Sequence, residues 1–170
     1  LAEHGGSLEE CKNLGDKVNK NSGSMGVAFS SCIVPAAGKP TFELGVDEME
    51  FGVGIHGEPG RRRDKIKSAQ EITNELLNAI IEDLKLENKD EILLFVNGMG
   101  GTPLSELYLL YDNAKKMLDD KKIKIARSLV GNYCTSLEMQ GASITLTKLD
   151  PELVKHWDSA VHTPAIRWGM

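Results

Sequence analysis

A chain of 170 residues, 41 % hydrophobic and 26 % charged, is long enough for one domain with its own core and needs no staple to fold. Its net charge of −5 disfavours nucleic acid as a bulk partner, because phosphate binding needs a basic face. No run approaches the roughly 18 consecutive apolar residues of a membrane span, and Cys11, Cys32 and Cys134 form no CxxC pair, so an intracellular reducing compartment fits best.

In chain order, Ser7-Leu8-Glu9-Glu10 reads as a capping box. It predicts a helix with Leu8, Cys11, Leu14 and Val18 on one face, ending near residues 21–23. Residues 25–34 read as a buried strand that includes Ser30-Ser31-Cys32, with Cys32 as a core residue, and residues 35–40 as a loop. Residues 48–55 alternate polar or small with apolar side chains and read as a strand running into a turn at 56–60. Glu43, Asp47, Glu48 and Glu50 look like an exposed acidic rim. The basic run Arg61-Arg62-Arg63, followed by Asp64 and Lys65, reads as a solvated loop rather than a phosphate clamp.

A second capping box, Ser68 to Glu71, opens a helix with Ile72, Leu76, Ala79, Ile80 and Leu84 inward. Residues 91–96 read as a buried strand and residues 97–101 as a glycine turn. Thr102 as cap and Pro103 at the first helical position start a helix carrying Leu104, Leu107, Leu110, Tyr111, Ala114 and Leu118. Residues 123–130 and 143–149 read as strands, Asp150-Pro151 as the start of a short helix through Trp157, and the tail as irregular. Strands alternating with helices imply an α/β (α+β) domain. Strands outnumber helices, so the expectation is two layers, a mixed β-sheet with helices packed mainly on one face.

Two segments could carry chemistry. In Gly52-Val53-Gly54-Ile55-His56-Gly57-Glu58-Pro59-Gly60 a histidine follows a strand and has glycines around it, which leave space beside the ring. A ring so held suits a nucleophile or a ligand, and Glu58 could orient it. Spacing alone favours the alternative, a turn histidine bonded within its own loop. The pattern is not a dinucleotide fingerprint, since it lacks the GxGxxG order and the helix start. The second segment, Asn97-Gly98-Met99-Gly100-Gly101-Thr102, could offer backbone N–H groups to an anion at a helix start. It has no phosphate-loop lysine, and a tight strand-to-helix connection is the favoured reading. His4, His156 and His162 have no metal-ligand spacing, and no GxSxG elbow surrounds Ser30 or Ser31.

Taken together, several blocks resemble the substrate-binding subunits of dihydroxyacetone kinases. These are residues 26–32 (GVAFSSC), 34–42 (VPAAGKPTF), 48–60 (EMEFGVGIHGEPG), 102–108 (TPLSELY), 133–137 (YCTSL) and 162–165 (HTPA) with Trp168-Gly169. They run from the first strand to the C-terminus, and the end pattern is most similar to the bacterial phosphotransferase-dependent type. The family often has two asparagines in the turn at 97–100, and here a glycine replaces the second.

The resemblance implies that His56 attacks the carbonyl of dihydroxyacetone and holds it as a covalent hemiaminal. It implies an ADP-binding DhaL-like partner, recharged by a DhaM-like phosphocarrier, with ADP or ATP and Mg on the partner and no cofactor or metal on this chain. It further implies a cytoplasmic homodimer, with residues 1–170 as the C-terminal domain and the proton-handling groups in an N-terminal domain absent here. Some family members are instead ligand-sensing coactivators of a transcription regulator, and can keep the same histidine. A domain that serves only dimerisation is the third reading.

Overall fold

Both capping boxes form as their spacing dictates. The computed structural model describes residues 1–56 and 60–169. It gives helix α1 over Leu8–Lys20 and α2 over Ala69–Leu84. Each N-cap serine accepts the backbone N–H of the glutamate three residues on, and that carboxylate accepts the serine N–H in return, at 2.7 Å for Ser7 and 3.0 Å for Ser68. Donors that a helix start leaves unpaired are thereby satisfied.

The third helix, α3 over Leu104–Asp120, departs from expectation. Pro103 itself is the extended N-cap, and it has no side chain with which to cap. The Thr102 hydroxyl turns away to donate to the Gly141 carbonyl at 2.7 Å and accept the Gly141 N–H at 2.9 Å. The last helix, α4 over Pro151–Trp157, is capped as read: Asp150 accepts the Leu153 N–H at 2.9 Å.

Six strands form one sheet: β1 (Ser22–Ala28), β2 (Glu48–Phe51), β3 (Arg62–Lys65), β4 (Glu91–Gly98), β5 (Lys124–Gly131) and β6 (Gly141–Lys148). Their spatial order is β3-β2-β1-β6-β4-β5. Every neighbouring pair is antiparallel except β4 with β5, whose parallel pairing is bridged by α3. Parallel neighbours need such a crossover, because a tight turn cannot reverse the chain twice.

Side chains alternate across the sheet. Val27, Met49, Phe51, Leu94, Ile144 and Leu146 point to the face covered by α2 and α3, where they meet Ile72, Leu76, Leu77, Leu107 and Leu118. Each fully buried aliphatic or aromatic side chain there contributes about 1.5–3 kcal/mol. A smaller cluster of Ala28, Cys32, Val53, Met99 and Met139 lies apart from that core. Cys32 is thus a core residue as expected. The α/β class and the two-layer mixed sheet also hold.

Four boundaries differ from the sequence reading by more than two residues. The first strand covers Ser22–Ala28 rather than 25–34, because Ser22 and Ser24 bond across to Thr147 and Thr145 on β6. The chain leaves the ladder at Phe29 and Ser30, whose N–H groups both reach the Gln140 carbonyl, so Ser30-Ser31-Cys32 lies in a loop. The second strand stops at Phe51, not residue 55. Residues 62–65, read as part of a loop, form β3. The tail carries a two-stranded ribbon, Val161–His162 with Arg167–Trp168, where the Trp168 ring packs tilted against Trp157 at 5.2 Å and donates Nε1–H to the Ser159 carbonyl.

Candidate functional site

β2 and β3 form a hairpin in register Phe51 to Arg62, and His56 lies in its loop. The expectation that the strand itself holds the His56 backbone is corrected. Gly52 takes φ +78°, a left-handed conformation that ends the strand at Phe51. A Cβ on Gly52 would meet Arg61 Cγ at 2.9 Å, so the two stems of the loop touch.

Backbone bonds pin the stems instead. The Gly52 N–H donates to the Gly26 carbonyl at 2.7 Å, and the Arg61 N–H to the Phe51 carbonyl at 2.6 Å. The Gly60 N–H donates to Glu50 Oε1 at 2.7 Å. His56 is exposed to solvent. Gly57, Glu58 and Pro59, and with them the orienting role read for Glu58, lie outside the described residues.

Ions hold the base of the hairpin against α2. Lys67 bridges Asp64 at 2.7 Å and Glu75 at 2.6 Å, and Arg62 also pairs with Glu75. The hydrogen bond from Lys67 holds the Asp64 carboxyl below its ordinary range, and Asp64 in turn holds the Lys67 ammonium above its own. The Arg62 guanidinium lies over the Phe51 ring at 4.6 Å. Arg62 and Arg63 are therefore not a solvated loop but paired strand residues, Arg63 facing Glu50 at 3.3 Å.

The loop walls one side of a pocket of about 420 Å³. Residues 52–55 form that wall, and His56 follows directly on it. The other wall is the sheet face away from α2 and α3, with Ser24, Asn97, Ser143 and Thr145 from three strands. The Thr145 hydroxyl donates to Ser24 Oγ at 2.8 Å. Gly26 makes the close approach possible: a Cβ there would meet Met99 Cε at 2.8 Å and the Val53 carbonyl at 3.1 Å. Hydroxyls and one amide share the lining with Arg61 and with the apolar Met25, Phe95 and Met99, without a carboxylate, and the volume lies within the usual range for small-molecule sites.

Asn97 is 1 % exposed and builds the rear of this pocket. Its Nδ2 donates to the Cys134 carbonyl at 2.8 Å, and its Oδ1 accepts the N–H groups of Tyr133 and Cys134 at 3.1 and 2.8 Å. The loop after β5 is thereby tied to β4. The glycine turn beyond Asn97 is a connection, not an anion cradle. Met99 N–H goes to the Gly141 carbonyl, Gly100 N–H to Asn132 Oδ1 and Gly101 N–H to the Met139 carbonyl.

His4, His156 and His162 are not brought to the pocket. Among the described residues no group of three or more His, Cys, Asp or Glu could hold a metal ion. No helix among them is long and apolar enough to cross a membrane.

Sequence reasoning missed two residues of this region. Glu50, placed on an exposed rim, is 8 % exposed. The alternation Glu48-Met49-Glu50-Phe51 correctly gives the face away from the helices, but nothing in it signals that the returning loop covers Glu50. Asn97, read as the first residue of the glycine turn, is the seventh of the eight residues of β4, and a polar residue directly after a buried run was the one signal available.

The molecule's relatives can now be set beside this geometry. Residues 1–165 match the family model described as the Dak1 domain. The chain is 41 % identical to the dihydroxyacetone-binding subunit DhaK of the PEP-dependent dihydroxyacetone kinase of Escherichia coli (strain K12), across 99 % of the chain and 54 % of that protein. It is 46 % identical to the DhaK subunit of the PTS-dependent dihydroxyacetone kinase 1 of Listeria innocua, across 89 % of the chain and 46 % of that protein. Among solved structures, the dihydroxyacetone kinase operon co-activator Dha-DhaQ superposes with TM-score 0.83 at 34 % identity, over 94 % of this chain and 49 % of that one. The chain thus spans about half the length of the relatives it matches.

Proposed function

Because the chain belongs to the Dak1 domain family, we propose that it is the dihydroxyacetone-binding part of a kinase that converts dihydroxyacetone to dihydroxyacetone phosphate, with His56 holding the substrate as a hemiaminal. The observation that carries the reading is the 41 % and 46 % identity to dihydroxyacetone-binding kinase subunits.

In the proposed step a neutral imidazole nitrogen adds to the carbonyl carbon. A C–N bond forms and the carbonyl π pair moves to oxygen. In net balance the proton that the other ring nitrogen loses is the one the oxygen gains. The bond answers a physical difficulty. Even at ~1.5 kcal/mol per non-hydrogen atom, so small a ligand binds with limited non-covalent affinity. Glycerol offers similar hydroxyls, but it has no electrophilic carbon and cannot form the adduct.

Phosphoryl transfer to a terminal hydroxyl then depends on positioning and charge stabilisation. In this reading the nucleotide and Mg sit on an ADP-binding DhaL-like subunit, recharged by a DhaM-like phosphocarrier. The region corresponds to the C-terminal domain of a cytoplasmic homodimer, with proton-handling groups in an N-terminal domain. An exposed imidazole that follows directly on the wall of a pocket lined in part by hydroxyls supports the reading.

The test is phosphorylation of dihydroxyacetone by the full-length natural protein with its partner subunits. His56→Ala should abolish both turnover and the mass increment of the bound substrate. Turnover retained by the variant would overturn the role of His56.

The likeness to the co-activator structure favours a second reading, a ligand-sensing protein without turnover. A protein that forms the His56 adduct yet supports no phosphorylation with the partner subunits would be that sensor.

A further inference from the structure

We infer that Glu50 is a positioning residue whose buried carboxylate clasps the returning end of the hairpin loop and so sets where His56 stands. The inference rests on the reading of His56 given above.

A carboxylate at 8 % exposure is costly unless it is paired and hydrogen-bonded. The two oxygens of Glu50 have different tasks. Oε2 faces Arg63 at 3.3 Å, directly across the β2–β3 ladder, and this is an ordinary cross-strand pair. Oε1 accepts the Gly60 N–H at 2.7 Å. Gly60 lies outside the ladder, which ends at Phe51 and Arg62. Hairpin pairing therefore does not account for the second bond.

Gly60 is packed against this carboxylate. A Cβ there would meet Glu50 Cγ at 2.6 Å and would also strike the Phe51 carbonyl. On the outgoing side, the Gly52 N–H is held by the Gly26 carbonyl. The described residues on either side of His56 thus have fixed points at Gly52 and Gly60. On the returning side the Arg61 N–H is held by the Phe51 carbonyl, and the Glu50 oxygen carries that hold one residue nearer His56, to Gly60. A nucleophile must be held to a fraction of an ångström, and a misplacement of about 1 Å can cost about a hundredfold in rate. Removing Oε1 frees Gly60, the described residue that next follows His56, while leaving the imidazole itself unaltered.

The experiment compares variants of the full-length natural protein in the partner-coupled phosphorylation assay, with adduct formation followed by mass spectrometry and folding by circular dichroism. Glu50→Ala should lower kcat/KM about a hundredfold, with slower adduct formation. Glu50→Gln, which keeps an oxygen for Gly60 but loses the charge facing Arg63, should recover most of that loss. Arg63→Met, which removes the ion pair alone, should stay within about threefold of the parent, on the same positional argument.

A folded Glu50→Ala within threefold of the parent would overturn the inference. So would an Arg63→Met loss as large as that of Glu50→Ala, since the ion pair would then be what matters. If Glu50→Ala does not fold, Glu50→Gln and Glu50→Asp decide. Rescue by glutamine with loss in the shorter aspartate supports the clasp, and equal loss in both refutes it. His56→Ala run in parallel separates the two ideas. Turnover surviving there removes the reading of His56 and the clasp with it, whereas a dead His56→Ala beside an active Glu50→Ala removes the clasp alone.

Discussion

On β6, Ile144 and Leu146 are fully buried against the helix layer, while the intervening Ser143 and Thr145 line the pocket on the other side. β4 repeats the pattern, with Leu94 and Val96 inward and Phe95 and Asn97 toward the pocket. One face of the sheet is committed to apolar packing under α2 and α3. The other is polar and meets the loop that bears His56. The same strands serve both, because adjacent residues point to opposite sides. The difference teaches that stability and chemistry can be altered separately here, and each substitution below tests that separation.

The largest effect belongs to the helix-covered face. Leu76 is fully buried on α2. Leu76→Ala should cost about 2–5 kcal/mol, from lost transfer energy plus a cavity, read from urea unfolding with the denaturant slope unchanged. A cost under about 1 kcal/mol would show that this face is not the packed one.

Asn97 sharpens the contrast from the other side, as a structural residue on the polar face. Asn97→Ala strands the N–H groups of Tyr133 and Cys134 and the Cys134 carbonyl. The expected cost is about 1–3 kcal/mol. Amide exchange should rise in residues 131–136 more than in α2. Uniform loss of protection would blur the distinction between the faces.

The smallest effect lies at the rim, where Asp64 and Lys67 latch the hairpin to α2. Folding favours the ionised Asp64, whose carboxyl Lys67 holds below its ordinary range. Its contribution is therefore present at neutral pH and is lost as pH falls from about 4 through the lowered folded value. Asp64→Asn should lower Tm at pH 7 by about a degree and converge with the parent in acid, so that its acid limb is flatter. An unchanged acid limb would show that this ion pair is thermodynamically silent.

Much of the fold was legible. Ser7 with Glu10 and Ser68 with Glu71 marked helix starts that the structure has, and the 3.6-residue period of Ile72, Leu76 and Ile80 marked the buried side of α2. β3 was not legible, because Arg62-Arg63-Asp64-Lys65 carries no apolar alternation and becomes a strand through pairing with β2. Thr102 was misassigned because tertiary bonds to Gly141 outcompete its capping role.

At the site, His56 stood out locally, but only the family blocks raised it above a turn histidine. The pocket could not be read, since Ser24, Asn97, Ser143 and Thr145 come from strands far apart in sequence and meet only in the sheet. Glu50 was hidden for a similar reason, because its cover comes from the chain's return rather than from its own strand.

The pairing of β1 with β6 has a kinetic consequence. Ser22 and Thr147, bonded through their hydroxyls at 2.8 Å, are separated by 125 residues of chain. During synthesis β1 is made well before β6, its main partner. Until β6 arrives, β1 and β4 lack the strand that joins them in the centre of the sheet. Closing so long a loop before any contact rewards it slows folding. Unpaired strand edges are meanwhile exposed to association with other chains. The arrival of β6, rather than local helix formation, is thus the step at which the sheet becomes whole.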